Sequence, residues 1–271
     1  MFRYRPIALN QNTCKQFNLL DFIKFAKRFD AVELDFKKIK EFLSKNFQLK
    51  ILVELLQIYN TKIASLYPLE NFSLSSDREF KTTILNNFKL LLDYSNKLES
   101  NLIIVNPSVL DPSIDITSIP KWRIINRTRT RLQDISKRAY KEDINIGFEF
   151  STLKGSSIST LNEAKEILKP MENQENLGYI IDTFHLGQLD LDFNEIKDIL
   201  KFIYLIKLAD FNEASLENLK RLFPGRGNFD FNKFYRFLDK LGYNRTFSIE
   251  ISQYQCSEKL LEKFTTIFKK V

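Results

Sequence analysis

Short apolar runs alternate with longer stretches of helical periodicity from one end of the chain to the other. The runs "PIALNQ", "DAVELDF", "KIASLYPL", "NLIIVNP", "INIGFEF", "LGYIIDTF", "FIYLIKLAD" and "TFSIEIS" are rich in β-branched and aromatic residues and read as strands. Between them, "LLDFIKFAKRF", "FKTTILNNFKLLLDYSNKL", "STLNEAKEILKPM" and "FNKFYRFLDKLGY" repeat apolar residues three and four apart, the spacing of one helix face. "SEKLLEKFTTIFKK" is expected to close the chain as a helix, with Ser257 as its N-cap. Strands that are each followed by a helix, or by a loop and a helix, predict parallel strands closed into a (β/α)8 barrel, an α/β fold. No Gly/Ser-rich or Pro-rich linker breaks the series, so residues 1–271 read as one domain. An open doubly wound sheet is the alternative. It lacks its usual phosphate loop, since "LNQNTCKQF" after the first strand holds no glycine.

Composition fits this picture. A chain of 271 residues suits one α/β barrel, and 44% hydrophobic residues supply a sizeable core. The net charge of +7 raises the question of a nucleic-acid partner. Stretches such as "DFKKIKEFLSKNFQLK" and "EKLLEKFTTIFKK" interleave their lysines with acids, which points to solvated helix faces instead, or to attraction of an anionic small substrate. Cys14 and Cys256 have no metal-ligand spacing and are expected as two free thiols, although a closed barrel brings its ends together and leaves a bridge open. No leader-like start and no apolar run of membrane-spanning length is seen, so a soluble cytoplasmic protein is expected.

Ionisable residues at the ends of apolar strands are the candidates for chemistry, because a barrel carries its reactive side chains there. Glu149 ends "IGFEF", Asp182 ends "YIID", Lys207 sits late in "FIYLIKLAD" and Glu250 lies in "FSIEIS". Residues two apart share a strand face. The same-side neighbours Gly147 and Ser151, Leu205 and Ala209, Ser248 and Ser252 are mostly small, which leaves room in a barrel mouth. Three converging carboxylates repel one another and call for a cation or protons. A divalent metal on oxygen ligands is the usual answer. Lys207 raises a separate question, because a buried ammonium needs a negative partner.

The chain resembles the xylose isomerase-like TIM barrels, the sugar phosphate isomerase/epimerase superfamily. The resemblance rests on "VEL" at Val32–Leu34, "GFEF", "IDTFHL", "LAD", "RLFPGRGNFDF" and "IEIS", in that order. It implies that Glu149, Asp182 and Glu250 bind one divalent metal (Mg, Mn or Zn), with His185 beside it. It also implies that Glu149 and Glu250 serve as acid and base on the two faces of an enediolate. Two positions depart from the family pattern. Lys207 stands where the family has His or Gln, and a protonated lysine has no lone pair for a metal. The expectation is that its ammonium sits among Glu149, Asp182 and Glu250 and weakens or replaces the metal. The alternative has Lys207 tilt out of the strand end toward Asp210 or another acid of the rim. In "PGRG", Arg226 takes the place of an acid and is a candidate for an anionic substrate group, or the loop is a plain turn.

His185 is the single histidine, so the histidine-rich three-zinc site of the superfamily's DNA-repair endonucleases is excluded. Glu33 and Asn106 are further candidates for substrate contact, with Asn10, Asn12, Tyr67, Phe184 and Arg221 behind them. The expected function is an isomerase, epimerase or dehydratase-like enzyme on a small hydroxy-carbonyl compound. Its catalytic residues would be Glu149, Glu250, His185 and Lys207. The rival readings are a non-catalytic or altered barrel whose fourth ligand Lys207 has replaced, and a nucleic-acid-associated protein.

Overall fold

The computed structural model describes residues 5–111, 118–212 and 220–252, with Ser257 and Glu262. The strands are β1 (Ile7–Asn10), β2 (Ala31–Asp35), β3 (Lys62–Leu69), β4 (Leu102–Val105), β5 (Asn145–Glu149), β6 (Leu177–Asp182), β7 (Ile203–Leu208) and β8 (Phe247–Ile249). The α-helices used below are α1 (Leu19–Ala26), α2 (Phe36–Ser44), α3 (Leu49–Ile58), α4 (Asp77–Glu79), α5 (Leu85–Lys97), α6 (Lys121–Tyr140), α7 (Leu161–Leu168), α8 (Thr183–Gln188) and α9 (Phe231–Lys240). The strands close into a barrel in sequence order, β1 to β8, the single (β/α)8 TIM barrel that the alternating pattern predicts. Every strand lies within its predicted run. The closing helix falls outside the described residues, apart from Ser257 and Glu262.

Two compact units make up the chain, residues 1–64 with 182–271, and residues 65–181. In the first, β1 pairs with β2 and with β8, and β8 pairs with β7, all parallel. The register sets Asn10 opposite Glu33 and Lys207 opposite Ser248. Much of the chain's phenylalanine is packed beneath these strands. Phe193, Phe229, Phe231, Phe234, Tyr235 and Phe247 form a chain of tilted and edge-on ring contacts, the geometry that aromatic quadrupoles favour. α9 turns Phe231, Phe234, Tyr235 and Leu238 inward and caps its first turn with Asp230.

In the second unit β4, β5 and β6 pair in parallel, with Glu149 opposite Ile180. The helix predicted over residues 80–98 opens with a π turn, Phe80–Ile84, before α5. α6 is held by Arg131, whose buried guanidinium donates to Phe72 O, Ser75 O and the Asp77 carboxylate. α7 begins with a capping box in which Thr160 and Glu163 satisfy each other's end of the helix.

Cys14 is buried and disulfide-bonded, against the expectation of free thiols. Cys256 lies outside the described residues. No helix among the described residues is long and apolar enough to cross a membrane.

Candidate functional site

Asp182 is both the last residue of β6 and the N-cap of α8. Its Oδ1 accepts the Phe184 amide at 2.8 Å, which satisfies one of the unpaired N–H groups at the helix start. That cap turns the chain so that His185 follows within the first turn of α8. Thr183 fixes the same corner by exchanging hydrogen bonds with the backbone of Ala209.

Arg221 completes this corner. One guanidinium nitrogen, Nη1, donates to Asp182 Oδ2, and Nη2 lies 3.3 Å from His185 Nε2. The guanidinium also lies over the Phe184 ring, 4.8 Å from its centroid. Burial pulls the His185 pKa down to about 4. The charges of Arg221 and Lys207 add to that fall, while Asp182 and Glu250 oppose it. The imidazole is therefore neutral at pH 7. A guanidinium only donates, so Nε2 is the acceptor and the ring proton sits on Nδ1.

Lys207 and Glu250 form a second buried pair, with Nζ 3.0 Å from Oε2. This answers the question of what the buried ammonium meets. Glu250 also accepts from Asn12 Nδ2 at 3.3 Å on its other oxygen. Burial alone raises the Glu250 pKa, but the Lys207 and Arg221 charges and the bonds from Lys207 and Asn12 outweigh it and hold the carboxyl well below its usual range. The Lys207 contact is an ion pair at hydrogen-bond distance.

Behind this pair lies a polar layer. Glu33, fully buried, accepts from Asn10 Nδ2 at 2.9 Å and from Ser248 Oγ. Asn10 Oδ1 in turn accepts the Asn12 amide at 2.8 Å. A continuous path thus runs from Glu33 through Asn10 and Asn12 to Glu250. In the other unit Asn106 Nδ2 donates to Glu149 Oε2 at 3.2 Å, and both Glu149 and Tyr67 are buried.

The alternative partner for Lys207 is otherwise engaged. Asp210 accepts the backbone amides of Phe211, Gly225, Gly227 and Phe229. It is the anchor of the "PGRG" loop. A Cβ on Gly227 would collide with Phe211 O and with the Asp210 carboxylate itself, so glycine is required at that turn. Arg226 stands exposed on the loop, and its amide donates to Phe223 O at 3.0 Å. Arg221, a lesser candidate in the sequence, sits at the centre of this corner, and its one mark in the sequence is its place just ahead of the Pro-Gly turn. Its amide and carbonyl exchange bonds with Ser252, two residues past Glu250.

Comparison with known proteins agrees with this architecture. The family model described as xylose isomerase-like TIM barrel matches residues 23–265. An inosose isomerase of Bacillus velezensis is 25% identical over 228 residues, which cover 82% of this chain and 79% of that protein. A 3-dehydroshikimate dehydratase of Pseudomonas aeruginosa is 30% identical over 126 residues, covering 44% of this chain and 20% of the enzyme. The crystal structure of the IolI protein with a bound zinc atom superposes with a TM-score of 0.85 at 22% identity, covering 97% of both chains. The match over most of its length shows that the chain belongs to the xylose isomerase-like TIM barrel family.

Proposed function

We propose that the protein is an isomerase or epimerase of a small, sugar-like hydroxy-carbonyl compound, working by proton transfer with help from a divalent metal. The observation that carries this reading is the pair of buried acids at strand ends, Asp182 and Glu250, each set beside a basic side chain in a barrel of this family. The named relatives, an inosose isomerase and a dehydroshikimate dehydratase, give the substrate class its outline.

The donor chemistry fits a divalent cation. Asp182 and His185 are buried donors of the kind that hold one, and Glu149 is buried at the end of β5. Glu149 ends β5 opposite Ile180, and Asp182 follows Ile180 by two positions on the same strand face. His185 is neutral at pH 7 and so has a lone pair to give. Glu250 Oε2 faces the Lys207 ammonium at 3.0 Å, so it would reach a cation only in exchange for that lysine. Magnesium, manganese or zinc is the expected ion, and manganese or zinc suits the imidazole best. When bound, it supplies Lewis acidity that polarises a carbonyl and steadies the oxyanion.

The chain's own residues supply the rest. Glu250, held ionised by Lys207, is the base that removes a proton from carbon next to the carbonyl. The electrons of the C–H bond move to the carbonyl oxygen and form an enediolate. The Lys207 ammonium is placed to donate to that oxyanion. Glu149, entering the step as the protonated acid, gives its proton to the carbon on the other face, and the two carboxyls then re-equilibrate their protons with solvent. Asn106, beside Glu149, and the exposed Arg226 are proposed to hold substrate oxygens, with Glu33 setting Asn10 and Ser248 behind them.

One observation favours a second reading. Lys207 holds Glu250, so the barrel can be an altered relative that has lost its metal chemistry. The test is solvent exchange. Incubation in D2O with manganese and inososes or related cyclic polyol ketones should place deuterium next to the carbonyl, and Glu250→Gln should abolish it. Exchange unaffected by Glu250→Gln would sink the first reading.

A further inference from the structure

Arg221 engages the same atoms that a metal would need. Asp182 has two oxygens. Oδ1 accepts the Phe184 amide and Oδ2 carries the guanidinium, so both oxygens already meet a donor and one of them a positive charge. The His185 lone pair on Nε2 also faces Arg221, at 3.3 Å. A divalent ion at these donors would sit within a few ångströms of a fixed positive charge. Like charges that close, away from bulk water, repel one another, so the ion and the guanidinium compete for the same donors.

We propose that Arg221 is the resident counter-cation of Asp182 and His185, and that a divalent metal binds there only by displacing it. The inference rests on the metal-assisted reading above. The structure supplies the means for such an exchange. The Arg221 backbone is anchored, its amide on Ser252 Oγ at 2.9 Å and its carbonyl accepting the Ser252 amide at 3.0 Å. The long side chain is therefore the part that moves. Its face contact with Phe184 is a weak hold compared with a charge-assisted bond. Lys207 does the same for Glu250, so each of these two acids has a cation of its own before any ion arrives. Metal affinity is then set by the release of an internal ion pair as well as by the donors.

The experiment is a calorimetric titration of manganese into the purified wild-type protein, Arg221→Gln and Arg221→Lys, each first checked by thermal unfolding. Zinc titration followed by 15N NMR of His185, the single histidine, is run in parallel. Manganese should bind Arg221→Gln at least about tenfold more tightly than wild type, with Arg221→Lys between them. In the metal-free wild type the imidazole should be neutral with its proton on Nδ1, and zinc should shift Nε2. Equal affinity in all three proteins overturns the exchange and leaves the metal reading standing. Weaker binding by Arg221→Gln also overturns it, because Arg221 would then be organising the donors. No binding by any of the three, nor by Lys207→His, removes the metal reading and the exchange with it.

Discussion

The Lys207 ammonium lies 3.0 Å from Glu250 Oε2, with both side chains almost completely withdrawn from solvent. Removing one partner strands the other. Lys207→Met should destabilise the protein by about 3 kcal/mol, in the range found when a buried pair is broken. Adding Glu250→Gln should recover a large part of that loss, because no unpaired charge remains. Denaturant unfolding of the two single variants and the double gives the coupling. Additive losses would mean that the two groups do not interact.

Acid should weaken the fold in a window set by His185. Its folded pKa is near 4, below the ordinary 6.5, so the unfolded chain takes up the proton first. The contribution is complete above pH 6.5 and is lost as pH falls toward 4. The full span is about 3 kcal/mol. Glu250 is also depressed, so its contribution is present above its ordinary value of 4.5 and is lost at still lower pH. Unfolding temperatures measured between pH 7 and 4.5 should fall, and His185→Gln should flatten that fall. Parallel slopes for variant and wild type would contradict the burial of a neutral imidazole.

Asp210 gathers the amide of its neighbour Phe211 and those of Gly225, Gly227 and Phe229 in the loop that follows Arg221. Asp210→Ala leaves those donors without their acceptor and should lower stability by about 2–4 kcal/mol. Gly227→Ala should act in the same direction through its clash with Phe211 O. Both are read from thermal unfolding. A neutral outcome for Asp210→Ala would show that water replaces the carboxylate without loss.

Asn12 links Glu250 to the buried Glu33 through Asn10. Asn12→Ala should lower the exchange rate about tenfold while leaving substrate affinity nearly unchanged, the pattern of a positioning residue. Glu250→Gln should lower the rate by about a thousandfold or more, as loss of a base does. A rise in KM with kcat preserved in Asn12→Ala would place that side chain on the substrate instead.

The barrel was legible because parallel strands buried on both faces read as apolar runs, and "KIASLYPL" coincides with β3 residue for residue. The strand-end acids were legible for the same reason, as charges that do not belong in such runs. Arg221 was not, because nothing in the spacing of "RLFPGRG" shows that its neighbour in space is Asp182, 39 positions earlier. Asp210 was visible only as part of "LAD", and its partners are backbone amides, which leave no mark on side-chain chemistry. α6 is hard to see in the sequence because its apolar positions are separated by arginines that keep its mean hydropathy low, although Ile124, Ile125, Leu132 and Ile135 are buried. The Cys14 disulfide leaves no mark in the sequence, since two distant cysteines say nothing of their separation in the fold.

Crystals soaked in manganese and measured at the manganese absorption edge give the most direct test. The account predicts an anomalous peak at Asp182, with the Arg221 guanidinium withdrawn from Oδ2. A map with no peak there, and Arg221 still bonded to Asp182 at saturating manganese, would contradict it.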